Sequence, residues 1–171
     1  MIKTAKETDA EVLALLGRLT YNESHGHFIE DKNDLAIYLD ENFSVSNMKR
    51  KISDPKNRFF IAYSGDLPVG YAKIVLNANH KSVASENSCQ LQRIFILADF
   101  IPLKIGIRLL SFVEAQAREL KFDALWLSVY IKNHRAIRFY EKNEFKDVGE
   151  LSFSVNGKHY PNTVFSKRIL P

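Results

Sequence analysis

A strand, a long amphipathic helix and a second strand follow one another in the middle of this chain, and that order restricts its fold more than any other feature. Cys89-Gln90-Leu91-Gln92-Arg93-Ile94-Phe95-Ile96-Leu97 reads as a strand. From about Leu103 to Leu120 the apolar period becomes helical, placing Leu109, Phe112, Val113, Ala117 and Leu120 on one inward stripe. Ala124-Leu125-Trp126-Leu127-Ser128-Val129-Tyr130 is again a buried-looking strand, rich in β-prone residues. A helix between two strands makes a crossover connection, so the spacing predicts two parallel, adjacent strands.

Shorter connections flank this unit. Phe59-Phe60-Ile61-Ala62-Tyr63 passes through Gly65-Asp66 into Val69-Gly70-Tyr71-Ala72-Lys73-Ile74-Val75, an antiparallel hairpin by its tight turn. A polar stretch from Asn77 to Ser88 follows. Asn156-Gly157 turns a second hairpin whose strands run out to Ile169. Near the start, Ile2–Thr4 forms a short strand, and Thr8-Asp9-Ala10-Glu11 has the form of a capping box opening a helix. Val12, Leu15, Leu16 and Leu19 are its expected buried stripe. After Thr20-Tyr21 the sequence turns polar. A second helix is expected over Asp34–Asn42, burying Leu35, Tyr38 and Leu39, and a third after Ser44, ending before Pro55. The expected fold is a mixed α+β domain over residues 1–171, with a largely antiparallel central sheet, helices on both faces and one βαβ crossover.

The junction after the Trp126 strand carries chemistry. Asn133 sits where strand gives way to helix, and Tyr140 lies two turns along that helix, on the side that also carries Ala136 and Ile137. An amide and a phenol can thereby be aimed at one cleft. Asn133 serves equally as a helix N-cap, and Tyr140 as a core tyrosine.

Composition narrows the setting. The 24 basic and 20 acidic residues give a formal charge of +4, too balanced for the concentrated basic stripe that nucleic-acid binding requires. One cysteine, Cys89, excludes an intramolecular disulfide and a cysteine-rich metal site, and fits a reducing compartment. No metal site is expected. The N-terminus has no apolar signal core and no run reaches membrane-spanning length, so a soluble cytoplasmic protein is expected. Glu23, Glu30, Asp31, Asp34, Asp40 and Glu41, set against Lys32 alone, make an acidic window between Asn22 and Asn42. Such a window either receives a cationic substrate or is a solvated helix face beside a loop.

The strand–Asn133–helix–Tyr140-Glu141-Lys142 run ending at Phe145 resembles the C-terminal signature of the GNAT superfamily of acetyl-CoA-dependent N-acetyltransferases. Thr20-Tyr21-Asn22-Glu23, Tyr38-Leu39, Asp54-Pro55 through Phe60, Val69-Gly70-Tyr71-Ala72-Lys73 and Arg93-Ile94-Phe95-Ile96 extend the likeness to the bacterial polyamine (spermidine/spermine) N-acetyltransferase branch. The resemblance implies that backbone groups around Ile94, Phe95 and Ile96 pair with the pantetheine arm of acetyl-CoA like an added strand. A phosphate-binding loop of the form Gln/Arg-x-x-Gly-x-Gly/Ala is implied over Ile101, Leu103, Lys104, Ile105, Gly106, Ile107 and Arg108. There, helix N-terminal N–H groups meet the pyrophosphate.

The sequence departs from that loop. Gly106 takes the second glycine position, Lys104 stands at the first, Ile101 replaces Gln or Arg, and Pro102 brings no N–H. Asn133 and Lys142 complete the implied cofactor contacts. Glu144 stands where a glycine usually precedes the final Phe.

Tyr140 is the implied acid for the departing thiolate. Relatives often carry a glutamate base just before the Arg of Arg93-Ile94-Phe95-Ile96, but this chain has Gln92, whose amide accepts no proton. Solvent, Glu23 or Glu86 are open alternatives, as is a substrate that arrives with a lowered pKa. Tyr21, Glu23, His25 and Phe28 are the candidate acceptor-binding residues. The expected partner is a small-molecule amine, with spermidine or spermine foremost. A peptide, sugar or antibiotic amine, or a non-catalytic binding module on the same fold, are the alternatives. The closing hairpin leaves a strand edge that a homodimer can use, though nothing in the sequence demands one.

Overall fold

The computed structural model describes residues 1–170. Its strands are β1 (Ile2–Thr4), β2 (Asn57–Ser64), β3 (Leu67–Val75), β4 (Ser88–Ile96), β5 (Ala124–Tyr130), β6 (Lys146–Val155) and β7 (Lys158–Arg168). Its helices are α1 (Ala10–His25), α2 (Lys32–Phe43), α3 (Val45–Ser53), α4 (Ile105–Glu119) and α5 (His134–Lys142). The strands form one seven-stranded sheet in the order β1-β2-β3-β4-β5-β7-β6. β4 and β5 are parallel, as the crossover through α4 requires, and the β1–β2, β5–β7 and β6–β7 pairs are antiparallel. No helix among the described residues is long and apolar enough to cross a membrane.

The chain divides into two compact units. The first comprises Met1–Ile74 with Arg93–Val113. Its core includes Leu13, Phe43, Met48, Phe60, Ile61, Tyr71, Ile74, Ile105, Leu109 and Leu110, all fully buried. Each such side chain contributes roughly 1.5–3 kcal/mol of transfer free energy. Gly17 lets Phe43 lie against α1, because a Cβ there would run into the Phe43 ring.

The second unit comprises Val75–Gln92 and the chain from Glu114 onward. Here β5 is laddered to β7 along its whole length, from Ala124↔Arg168 to Tyr130↔Asn162. Val83, Ala124, Trp126 and Val164 form a core, and Trp126 Nε1 donates to the Ala78 carbonyl at 2.6 Å. Asn156 and Gly157 both have positive φ, as a tight hairpin turn with those residues needs. Lys167 pairs with Glu114 at 3.0 Å and with Glu144 at 3.4 Å.

Four local expectations need correction. The first helix is not opened by a capping box at Thr8. A short 3₁₀ turn over Glu7–Asp9 precedes α1, and the Asp9 carboxylate accepts from the Lys6 N–H at 2.7 Å. The buried face of α1 is Ala10, Leu13, Ala14, Leu16, Gly17, Thr20 and Tyr21, whereas Leu15 and Leu19 are exposed and Val12 is half-buried. Small residues let neighbouring helices come close, so the packed face follows Ala14 and Gly17 and not the largest apolar side chains. The polar residues after Tyr21 continue α1 to His25. Finally, the crossover helix starts at Ile105, after a 3₁₀ segment Ala98–Leu103 that holds Pro102, and Leu120 beyond its end is exposed.

Candidate active site

In the second unit, among the described residues, the parallel ladder between β4 and β5 contains Ser88↔Ala124, Cys89↔Leu125 and Gln90↔Trp126. β4 itself runs on to Ile96. Main-chain groups of a strand that leaves its neighbour are available to an extended ligand. Ile94, Phe95 and Ile96 follow on β4, within the first unit, and are half-buried.

The N-terminus of α4 lies in the first unit. Its first four N–H groups, those of Ile105, Gly106, Ile107 and Arg108, have no intrahelical acceptors by helix geometry. Lys104 precedes them with φ 55°, in the left-handed region, and its N–H donates to the Ile101 carbonyl at 3.1 Å. The backbone thus keeps a glycine-like conformation at the position where the motif carries glycine, with a lysine side chain supplied instead. Leu103, Lys104 and Arg108 are exposed, Ile101 and Ile107 are half-buried, and the Ile105 side chain is in the core. Ile105 therefore has only its backbone to offer a ligand.

Three of the four expected acceptor residues meet in one aromatic cluster. Tyr21 stacks on His25 with ring centroids 4.9 Å apart and on Tyr38 at 4.6 Å. Phe28 and Phe95 each meet the His25 ring edge to face, at 6.3 and 5.4 Å. Glu23 is not in this cluster: its carboxylate accepts from the Ala98 N–H at 2.9 Å, fixing the 3₁₀ segment. Other carboxylates of the acidic window also hold structure. Asp31 caps α2 through the Asn33 N–H, Asp34 is buried, and Asp40 pairs with Arg18 at 2.7 Å.

The sequence reading missed the cationic side of this cluster. Arg93 donates to Tyr38 Oη and Asn42 Oδ1, both at 3.3 Å, and its guanidinium lies 4.4 Å over the Phe43 ring. Tyr71 Oη, buried in the field of Arg93, has no hydrogen bond of good geometry. Burial, then the Arg93 and Lys51 charges, bring the Lys73 ammonium down to about 7, with Asp54 a partial offset. Burial, then Arg93 and Arg50, bring Lys51 down to about 8. His25 falls to about 4, chiefly by burial and then through His27 and Arg93, so its ring is neutral at pH 7. Strand alternation was the available signal, because Leu91, Arg93 and Phe95 share one face of β4.

In the second unit, Asn133 is an N-cap: its side-chain oxygen accepts from the Ala136 N–H at 3.2 Å. Tyr140 is buried, with Phe139 and Phe145 edge-on at 5.2 and 5.6 Å, and burial raises its pKa. Its hydroxyl forms no hydrogen bond among the described residues. Lys142 is exposed in the last turn of α5. Beyond that turn Glu144 has φ 67°, again left-handed where the motif has glycine. Gln90 is half-buried and Gln92 exposed on β4. Cys89 is buried, which pushes its thiol up to about 12, too high to act as a nucleophile.

The chain is similar to known proteins along nearly its full length. An uncharacterized N-acetyltransferase of Mycobacterium bovis is 24% identical over 163 residues, covering 95% of this chain and 99% of the relative. An uncharacterized N-acetyltransferase of Lactobacillus delbrueckii subsp. lactis is 22% identical over 170 residues, covering 99% and 97%. Among solved structures, PaiA N-acetyltransferase of Thermoplasma acidophilum, in complex with coenzyme A, superposes with a TM-score of 0.74 at 20% identity, covering 98% and 99% of the two chains. The model of the acetyltransferase (GNAT) family matches residues 18–145. With most of its length inside that match, the chain belongs to the GNAT acetyltransferases, enzymes that use acetyl-CoA.

Proposed function

We propose that this chain acetylates the primary amine of a small acceptor, and that the acceptor is a polycation such as spermidine or spermine. The observation that carries the reading is the short β4–β5 ladder, three pairs long, which leaves the rest of β4 able to pair with an extended ligand. Acetyl-CoA fits that arrangement. The backbone of Ile94, Phe95 and Ile96 would hold its pantetheine arm. The N–H groups of Ile105, Gly106, Ile107 and Arg108 would hold its pyrophosphate, with Lys104 and Arg108 adding charge and Ile101 and Leu103 framing the loop. Asn133 and Lys142 are the remaining cofactor contacts. When bound, acetyl-CoA supplies a thioester whose carbonyl carbon exchanges its bond to sulfur for one to the acceptor nitrogen.

Tyr140 is the proton donor for the leaving sulfur. Burial keeps its phenol protonated through the ordinary pH range, which suits a residue that must hold a proton until it is needed. Tyr21, His25 and Phe28 bind the acceptor, and Glu23 supports them by fixing the 3₁₀ segment. Glu30 and Glu41 are exposed and form no ion pair among the described residues, so they are available to the distal ammonium groups of a polycation.

Two measurements test the reading. Calorimetry should show acetyl-CoA binding at physiological cofactor concentrations, and its absence would make the chain a non-catalytic member of the fold. Thiol release with an amine panel should favour spermidine and spermine. Inert polyamines with reactive peptides, sugars or antibiotic amines would replace the acceptor class.

A further inference from the structure

The hydrogen bonds around Ser24 fix the tautomer of His25. Ser24 Oγ lies 2.6 Å from the Thr20 carbonyl oxygen, a separation two oxygens reach only with a proton between them. That proton can only be the single hydroxyl proton of Ser24. The same Oγ lies 2.7 Å from His25 Nδ1 and has no second proton to give, so it must accept there and Nδ1 must donate. A neutral imidazole protonated on Nδ1 carries a bare lone pair on Nε2.

No described residue hydrogen-bonds that nitrogen. The ring is held flat by the Tyr21 stack, with an interplanar angle of 12°, and edge-on by Phe95 of β4. The ionisable groups acting on it are His27 and Arg93, neither of them an anion. The Glu23 carboxylate is engaged by the Ala98 N–H.

We propose that His25 is the group that receives the reacting amine: Ser24 locks its ring as the Nδ1–H tautomer, and Nε2 accepts an N–H hydrogen bond from the acceptor nitrogen, turning that nitrogen's own lone pair toward the acetyl carbon. This assignment rests on the acetyl-transfer reading above and adds a substrate requirement to it. Burial, His27 and Arg93 all disfavour positive charge at the ring, so the reacting nitrogen arrives uncharged, having lost its proton to solvent. The other ammonium groups of a polyamine stay outside the cluster. His25 keeps the same protonation state throughout: the proton that the nitrogen sheds as the amide forms goes to solvent. The sulfur takes its proton from Tyr140, which regains one from solvent, and the work of His25 is orientation and selection. The missing glutamate at Gln92 is then no defect in this step.

Nitrogen-15 NMR of the full chain tests the tautomer directly, with the His25 signals assigned by comparison with His25→Phe. Wild type should show a protonated Nδ1 and an unprotonated Nε2 at pH 7. Ser24→Ala should mix the tautomers and lower kcat/KM for the amine severalfold. His25→Phe keeps an aromatic ring beside Tyr21 but removes the acceptor. It should lower kcat/KM for the amine by about tenfold or more, mainly through KM, at unchanged acetyl-CoA affinity. His25→Gln, whose side-chain oxygen reaches about as far as Nε2, should recover part of the loss. A wild-type ring protonated on Nε2 overturns the assignment, as does His25→Phe acting at the wild-type kcat/KM. A wild-type chain that binds acetyl-CoA and acetylates no amine overturns the acetyl-transfer reading itself, and this assignment with it, whatever the tautomer.

Discussion

Ser88, Cys89 and Gln90 pair with β5, and the first two are fully buried, while Arg93, Ile94, Phe95 and Ile96, further along the same strand, lie past the end of that ladder and are all half-buried. One continuous strand is thus buried core at its start and half-buried at its end, where the proposed cofactor arm would lie. On the proposed reading, the contrast lets a sheet host an extended cofactor without an extra element: a parallel pair stops early, and main-chain groups beyond it would take the ligand. β5 tolerates this because its other flank is fully laddered to β7, seven pairs against three.

The contrast can be broken at either end. The largest effect is expected from Tyr140→Phe, which removes the proposed acid and leaves both halves of β4 intact. Turnover should fall by about 100-fold or more in single-turnover assays, with acetyl-CoA affinity unchanged. Undiminished turnover would remove Tyr140 from the reaction. Gly70→Val attacks the second half. A Cβ at Gly70 would sit 2.6 Å from the Phe95 carbonyl oxygen and 3.1 Å from Ile96 Cα, so β4 must shift there. Such overpacking costs about 1–3 kcal/mol, and calorimetry should show acetyl-CoA affinity lowered by at least about tenfold. Wild-type affinity in a folded Gly70→Val protein would mean that the cofactor lies elsewhere.

Cys89→Ala probes the first half. It removes a buried sulfur from the paired end of the strand and should lower stability by about 1 kcal/mol in urea titrations, with kcat untouched. A fall in kcat would blur the division between the halves.

The smallest effect is in pH. Lys73 and Lys51 titrate below their usual 10.5, at about 7 and about 8, because burial and Arg93 disfavour their charged forms. Between those values and 10.5 the unfolded chain binds protons that the folded chain does not. Stability should therefore rise from pH 7 toward pH 9, and Lys73→Met should flatten that rise. His25, lowered to about 4, adds a loss of stability as pH falls from about 6.5 toward 4.

Much of the architecture was legible because long periodic segments declare themselves. The β4–α4–β5 crossover, both hairpins and the Asn133–Tyr140 helix stand where the pattern put them. The inner face of α1 did not, since close helix packing is driven by Ala14 and Gly17, and a hydrophobicity stripe weights Leu15 and Leu19 instead. For the candidate site, the sequence named Tyr21, Glu23, His25 and Phe28 together; the structure brings the three rings into one cluster and places the Glu23 carboxylate on the Ala98 N–H. Arg93 and Ser24 went unnoticed as site residues. The hydrogen-bond partners of Arg93 lie about fifty residues away in sequence, and the role of Ser24 depends on which way a single proton points.

Lys104 and Glu144 hold left-handed backbone, a conformation that favours glycine. A side chain there adds strain of roughly 1–2 kcal/mol to the native loop. It also narrows the range of shapes that residue samples once the protein unfolds, so less freedom is surrendered when the loop forms again. Part of the strain is thereby offset in the denatured ensemble, out of sight of any folded coordinates, and a change to glycine at Lys104 or Glu144 need not stabilise the protein.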